Sequence, residues 1–521
     1  MFCKKAMSDN RRFFKHTLIF GIGGLLVQIT PLILLPLYTN YLTPSEYGTL
    51  DLIFKTSEII NTVFLVGGIR LAAMTFYKQA ENEEARRRVA ITISMLLWAA
   101  VAVAITLSVC FVDYIDYFLK TNEPKILAFG LTAVLLEAFV AVPMTLTQAR
   151  LESLRFVLTN VAMSFIRLGL CIYFLVGLHW GIWGVLAAKA IVYSVFALFL
   201  TYRELRIGSI CPDTAKWKEI LFFCLPLVPN GVFAFIYGMS DRFFILHFGP
   251  YESGAALGAV GLYALAGRMM SVSRYMGAGP MQQVWTAEMY DIHQRTDASQ
   301  IFGNFMLRLL CVQTFATLFI SLFSLETVRI MCDSSYHKTA SLIPFFGLYS
   351  IVALFANQMN NTFFIMRKTN YNLFCTLFAL PFVFLFMFLF VPRWGIMGAV
   401  LAYVLVYAVY AGIIYFFTQR FFNVRYPLGK IGILLSMTIL CYALSLLCGN
   451  GIELSSLSIE DFQGLSRWAQ IMDAWNRIRW IPIVAKMGVM VLWGVLIWFS
   501  GILSPEDKAW TMRVFKGRIQ K

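Results

Sequence analysis

Apolar residues run through this chain in blocks of roughly 20, as in Leu18–Leu42, Ser94–Val112, Phe156–Leu178 and Leu373–Val391. About 20 apolar residues is the length of helix that crosses a hydrocarbon core of about 30 Å. Such blocks must be helical, because lipid cannot satisfy the backbone groups of an open strand. Read this way, the sequence predicts about 14 spans: 14–41, 46–74, 89–112, 126–149, 156–178, 181–202, 218–246, 257–287, 301–324, 340–363, 372–392, 395–418, 428–448 and 481–503. The expected fold class is all-α, a polytopic transmembrane helix bundle.

Composition agrees with the pattern. The 521 residues are 59% hydrophobic and 14% charged, with a mean hydropathy of +0.71. Soluble domains carry about 45–50% apolar and about 25% charged residues. The basic start (Lys4, Lys5, Arg11, Arg12, Lys15) precedes an apolar run too long for a secretory leader and closed by no small-x-small site. It is read as a retained first span.

Net charge is +15, which on its own could point to nucleic acid. Its placement argues otherwise. Of 43 Lys and Arg residues, 23 fall in loops on the side that holds both termini and 8 on the opposite side. This is the positive-inside bias, and it places both ends in the cytoplasm. Ten cysteines are scattered without a CxxC pair, and five histidines show no metal-ligand spacing. No cofactor is expected. Nor is there a Walker lysine motif, GxSxG or HExxH, so an enzyme is not expected either.

The chain repeats itself. His179-Trp180-Gly181-Ile182-Trp183-Gly184-Val185-Leu186-Ala187 resembles Arg393-Trp394-Gly395-Ile396-Met397-Gly398-Ala399-Val400-Leu401, a shift of 214. Tyr47-Gly48-Thr49-Leu50 and Val260-Gly261-Leu262-Tyr263 open the second and eighth spans, a shift of 213. Two six-helix lobes are expected, residues 1–212 and 213–420, followed by two C-terminal helices in 421–521. Between those last two spans, Trp468, Ile471, Met472, Trp475 and Ile478 are spaced as an interfacial helix or as the start of the final span. Parallel repeats of this kind place substrate between the halves and rock them for alternating access.

Charges inside spans cost about 2.5–3.5 kcal/mol each at mid-bilayer and call for a reason. The second span carries Asp51, Lys55 and Glu58 on one face, then Asn61 and Arg70; the seventh carries Asp241-Arg242; the eighth carries Arg268 and Arg274. At an offset of 213, Lys55 falls on Arg268 and Asn61 on Arg274. Arginines in a water-filled cleft would suit a pyrophosphate, whose oxygens match their forked donors. The plainer reading pairs Asp51 with Lys55 and Asp241 with Arg242. It leaves Arg268 and Arg274, with no acid within one turn, as the foremost candidates. Glu137 in the fourth span, together with Asp51 and Glu58, is a candidate for a coupling ion, and Glu137 could equally be a satisfied acid at a helix contact. Glu288 is weighed in the same two ways. Arg167, Lys189 and Arg308 are read as snorkelling. Pro31 and Pro36 in the first span, Pro226 and Pro229 in the seventh, and Gly277, Gly279 and Pro280 in the eighth predict kinks.

These features resemble a known family. Leu42-Thr43-Pro44-Ser45-Glu46-Tyr47-Gly48 looks like the L-x-P-x-E-Y-G turn of bacterial polysaccharide (O-antigen, Wzx-type) flippases. Those belong to the multidrug/oligosaccharidyl-lipid/polysaccharide (MOP) exporter superfamily. Ser240-Asp241-Arg242, Val260-Gly261-Leu262-Tyr263-Ala264-Leu265-Ala266-Gly267-Arg268 and Trp394-Gly395-Ile396-Met397-Gly398-Ala399 are similar to that family's S-D-R, V-G-x-Y-x-x-A-x-[KR] and [YW]-G-I-x-G-A. The similarity covers residues 12–420. It implies a pseudo-symmetric, MATE/MOP-like fold in the bacterial inner membrane. It further implies an oligosaccharide on undecaprenyl pyrophosphate as the flipped substrate, with a polysaccharide polymerase or glycosyltransferase complex as a further partner. Carried over by position, it nominates Arg242, Arg268 and Arg274 for the substrate, then Arg70, with Lys55 added by the repeat. The acids Asp51 and Glu58 beside Lys55 depart from a simply cationic cleft. Rival readings are a cation-coupled drug exporter of the same superfamily, a peptidoglycan-precursor flippase, and a non-transporting assembly factor of a polysaccharide synthase.

Overall fold

The computed structural model describes residues 30–31, 33–64, 66–150, 152–207, 214–225, 227–252, 254–366, 368, 370–446, 480–502, 505 and 508. Every regular element among them is a helix. Most of the expected first span, 14–41, lies outside the described residues, as does the stretch carrying Trp468, Ile471, Met472, Trp475 and Ile478. Nine helices among the described residues are long and apolar enough to cross a membrane, or eleven if two bent pairs each count as a span. The sequence estimate of about 14 exceeds this count because most of the first span is undescribed and because the expected spans 372–392 and 395–418, two helices that meet at Gly395, are continuous enough to be counted once. The expected seventh span is divided near Leu225.

The chain separates into two compact units: one through Leu246 together with Tyr251–Gly261, the other His247–Pro250 with Leu262 onward. In the first unit, α1 (33–41) leads into α2 (Pro44–Val63). Here the L-T-P-S-E-Y-G stretch is a helix start. Thr43 Oγ1 accepts from the Glu46 amide at 3.2 Å, and the Thr43 amide donates to Glu46 Oε2 at 2.8 Å. Two otherwise orphaned amides are thereby satisfied, and Pro44 at the first helical position has no N–H to lose. α2 and α3 (Val66–Gln79) meet at a 51° bend, with Gly67 and Gly68 directly after it.

The unit continues through α4 (Glu83–Cys110), α5 (Val112–Leu119), α6 (Pro124–Leu135), α7 (Glu137–Ala149), α8 (Ser153–Ile172), α9 (Gly181–Ile207), α10 (Thr214–Cys224) and α11 (Leu227–Phe248). α3 packs on α4 and α7, α7 on α9, and α2 on α6. A core of Ile69, Val89, Ile93, Leu97, Val142, Leu146 and Ile220 is buried among them.

α12 (Ala255–Met276) begins in this unit, and its first turns cross α2 where glycine is required. A Cβ on Gly48 would lie 2.2 Å from the Leu257 carbonyl oxygen, and one on Gly261 would lie 1.9 Å from that of Pro44. Only hydrogen fits at either position.

The second unit holds the rest of α12, then α13 (Ala278–Ile292), α14 (Ala298–Leu322), α15 (Ser324–Met331) and a 3₁₀ turn (Ser334–Ser341). α16 (Ile343–Ile365), α17 (Asn370–Phe421), α18 (Leu428–Leu446) and α19 (Trp480–Phe499) complete it. α14 packs on α16 and α18, α16 on α17, and α18 on α19. The expected kink in the eighth span is the break at Gly277 between α12 and α13, and Pro280 sits harmlessly in the first turn of α13. At 1.5 Å per residue, 52 residues of α17 make about 78 Å, enough for two crossings. They are divided at Gly395, whose φ is +56°. Its repeat partner Gly181 also has positive φ, +53°. Beside each turn a tryptophan stacks on a phenylalanine: Trp180 on Phe174 at 5.1 Å and Trp394 on Phe390 at 5.3 Å. The W-G-I-x-G repeat is thus a turn that needs glycine's left-handed freedom.

Candidate functional site

The charged face of α2 is resolved into two ion-paired groups. Asp51, about one turn into the buried part of α2, accepts from Arg242 Nε at 3.1 Å, bringing α11 against α2. Arg242 is also bound by its neighbour Asp241: Nη1 donates to Oδ2, and the Arg242 amide donates to Oδ1 at 2.8 Å. Asp241 is 3% exposed at its side chain and the other two 13–14%. One guanidinium between two carboxylates leaves the trio with one negative charge. Lys55 pairs with Glu58 at 2.8 Å. The expected Asp51–Lys55 pair is therefore replaced by Asp51–Arg242 and Lys55–Glu58, while Asp241 does engage Arg242. Asn61 Oδ1 is buried without a hydrogen-bond partner. Arg70 is exposed on α3, with no ion pair among the described residues.

A second constellation lies between α2, α7, α8 and α9. The span containing α6 and α7 opens at Leu136, so Glu137 starts α7, where the helix dipole favours a carboxylate. Glu137 Oε2 meets Lys189 Nζ at 2.8 Å; the lysine side chain is 11% exposed and the glutamate 48%. The ammonium also sits 4.7 Å from the Phe54 ring centroid and 5.6 Å from that of Tyr193. Arg167 on α8 adds a second cation near Glu137, Tyr193 and Tyr38, and its Nε is buried without a hydrogen-bond partner. This neighbourhood carries one positive charge in excess. Sequence reading assigned Lys189 and Arg167 to snorkelling. Lys189 is instead buried and paired, because it sits a third of the way along α9 rather than at its end. A lysine at that depth needs a nearby acid, and Glu137 on the fourth span supplies it.

In the second unit, Arg268 and Arg274 are both exposed on α12, six residues and about 9 Å apart along the axis. Arg268 lies past the middle of this membrane-length helix. Arg274 is in its last turn and has no ion pair among the described residues. Between them Ser273 is fully buried and accepts from Gln313 Nε2 at 3.0 Å, tying α12 to α14. Glu288 is exposed and lines, with Arg308, Asn304 and Trp285, a cavity of about 640 Å³ at the junction of α13 and α14. The described residues contain no group of three or more His, Cys, Asp or Glu able to hold a metal ion.

Comparison with known proteins gives this geometry a context. No curated protein matches the sequence. Among solved structures, the lipid II flippase MurJ in an inward closed conformation matches 93% of this chain and 100% of its own, at 14% identity and a TM-score of 0.64. An inward-facing multidrug resistance MATE transporter matches 76% of this chain and 93% of its own, at 16% identity and a TM-score of 0.59. A MOP superfamily transporter from Pyrococcus furiosus matches 78% and 95%, at 16% identity and a TM-score of 0.53. These likenesses establish the fold. The profile of the family described as "Polysaccharide biosynthesis protein" matches residues 13–286, more than half the chain. This multi-span membrane protein therefore belongs to the polysaccharide biosynthesis protein family and has the fold of MOP superfamily transporters.

Proposed function

We propose that the chain is a flippase moving an undecaprenyl-pyrophosphate-linked oligosaccharide from the cytoplasmic to the outer leaflet of a bacterial inner membrane, for O-antigen-type surface polysaccharide. It works by alternating access, with both termini in the cytoplasm. The observation that carries the reading is the exposure of Arg268 and Arg274 on one membrane-length helix in a chain of this family. An arginine facing lipid at that depth costs about 2.5–3.5 kcal/mol, whereas one facing an aqueous cleft does not. Charge-assisted hydrogen bonds from such residues to a pyrophosphate are about twice as strong as neutral ones. Arg242, held by Asp51 and Asp241, acts as a positioning residue for α2 and α11. Arg70 and Lys55 are secondary contacts. The polysaccharide polymerase that receives the flipped lipid is the expected partner.

The test is the leaflet and amount of undecaprenyl-linked oligosaccharide in cells depleted of the protein, complemented by Arg268→Ala and Arg274→Ala. Cytoplasmic build-up on depletion, unrelieved by either variant at wild-type membrane levels, is the expected result. Normal surface polysaccharide in both variants would reject the site. No build-up, with falling resistance to cationic dyes, would favour a drug exporter.

A further inference from the structure

A second site lies in the first unit, apart from the intramembrane cations, where α3 ends, α4 begins and α7 gives way to α8. A cavity of about 420 Å³ opens there, with Lys78, Arg86, Arg87 and Arg150 on its walls and Tyr77 among them. That volume falls in the range of small-ligand pockets, about 300–1,000 Å³. By the distribution of Lys and Arg along the chain, this is the cytoplasmic end.

Not every cation here is free for a ligand. Arg150 is fully engaged: its two terminal nitrogens donate to Glu204 at 2.8 and 2.6 Å, and its Nε donates to Tyr77 Oη at 3.2 Å. The two acids of the wall are engaged as well. Glu83 accepts from Arg86 at 2.8 Å, and Glu152 accepts from both Arg155 and Arg203 at 2.6 Å. Two cations then remain over. Lys78 and Arg87 are exposed on the cavity wall and have no ion pair among the described residues. Beside them, Glu83 holds one terminal nitrogen of the Arg86 guanidinium, whose Nε is buried. Tyr77, buried beneath, lies 6.0 Å from the Arg86 guanidinium carbon and 5.6 Å from that of Arg150, so its ring fixes both forks in place.

Two cations unpaired among the described residues, on the wall of a ligand-sized cavity and beside the Arg86 guanidinium over the ring of Tyr77, make a receptor for an oxyanion rather than a mere surplus of basic loop residues. We infer that this cavity binds a phosphate group, with Lys78 and Arg87 as its donors and the exposed end of the Arg86 guanidinium beside them. The phosphate comes either from the headgroup of an anionic phospholipid or from a soluble phosphate-bearing molecule. The inference is independent of which substrate the intramembrane arginines carry.

Purified full-length protein is tested in two settings. In detergent, inorganic phosphate and pyrophosphate are titrated against thermal stability. In nanodiscs, phosphatidylglycerol is compared with phosphatidylcholine, and co-purifying lipid is weighed by native mass spectrometry. The variants are Lys78→Gln/Arg87→Gln, Arg87→Lys, and Lys125→Gln, which removes one charge elsewhere in the same unit. Losing two charge-assisted contacts is expected to weaken binding at least about tenfold. Arg87→Lys, which keeps the charge but loses the fork, weakens it less, and Lys125→Gln leaves it unchanged. Stabilisation by inorganic phosphate or pyrophosphate identifies a soluble source. Stabilisation and retention of phosphatidylglycerol alone identify the lipid. Equal response of wild type and Lys78→Gln/Arg87→Gln to every probe overturns the proposal, because any binding is then unrelated to this cavity.

Discussion

Lys486 on α19 and Glu326 on α15 form the ion pair that bears most directly on how the last helices are seated in their unit. Their charged atoms are 2.5 Å apart, and the side chains are 6% and 7% exposed. Both ions have left water, so their attraction and their desolvation are each several kcal/mol and nearly cancel. Removing one partner destroys the cancellation. Glu326→Gln leaves the ammonium buried and should cost about 3–5 kcal/mol. Lys486→Met keeps the packing volume but leaves the buried carboxylate of Glu326 to the weaker field of Arg329, and should cost about 2–4 kcal/mol. Replacing both with apolar groups, Glu326→Leu/Lys486→Met, removes both charges and should fall within about 1 kcal/mol of wild type. The double variant then restores what the single ones lose, and that non-additivity marks a direct pair. Unfolding free energy in detergent reads the first quantity. Peptide-resolved thiol labelling of Cys441, 1% exposed on α18 against which α19 packs, reads the seating itself. Trp493 offers a second local report, since its indole N–H donates to Thr438 on α18 at 3.0 Å. Single variants within about 1 kcal/mol of wild type, with Cys441 still protected, would refute the reasoning and leave apolar packing alone to seat α19.

The glycine crossing of α2 and α12 should tolerate no side chain. Gly48→Ala and Gly261→Ala must each move the helices apart by about 1 Å to restore an ordinary carbon–oxygen contact of about 3.3 Å, at about 1–3 kcal/mol. The double variant should cost little more than either single one, since both open the same crossing; wild-type melting of both single variants would discount the close approach. Glu137→Gln should destabilise by about 1–3 kcal/mol by removing the carboxylate that faces the buried ammonium of Lys189, and adding Lys189→Met should restore stability. If export fell while stability held, Glu137 would be a coupling group rather than a counter-ion. Glu152 gives a pH signature. Burial would raise its proton affinity, but Arg155 and Arg203 outweigh that and hold it below its ordinary 4.5. A carboxylate depressed on folding stabilises above its unfolded value and loses that contribution as pH falls through the folded one. Unfolding curves from pH 6 to 3 should therefore show an acid decline that Glu152→Gln flattens, and an unchanged decline would remove Glu152 as its source.

What could be read from the sequence was whatever depends on near neighbours. The break at Gly277 and the Asp241–Arg242 contact lie within a turn of the residues that cause them, and the Leu42–Gly48 stretch, read as a turn, is as local, being a capped helix start. The ion pairs between distant helices were not legible for the opposite reason. Helical spacing brings Asp51 to Lys55, yet the structure sends Asp51 to Arg242, 191 residues away. Lys486 finds Glu326 across 160 residues, and Lys189 finds Glu137 on another span. A buried charge announces that it needs a partner, since the cost of leaving it alone exceeds several kcal/mol. It does not announce which partner, because that choice is made by packing of helices distant in sequence.

The repeat is the exception, a long-range feature that sequence alone could carry, and the glycine crossing shows why. An offset of 213 takes Gly48 to Gly261 and Pro44 to Leu257. Within the first unit those four residues meet in reciprocal fashion. A Cβ on Gly48 would strike the Leu257 oxygen and approach the Gly261 nitrogen at 3.0 Å. One on Gly261 would strike the Pro44 oxygen and approach the Gly48 nitrogen at 3.1 Å. Residue i against j, with j against i, is the signature of a twofold contact. Here it arises inside one chain between the openings of two repeated helices. Each copy needs glycine at the same register because each is the other's partner at the crossing. A mutation that relieves one side without the other cannot restore it, and the pair of glycines must be kept or lost together.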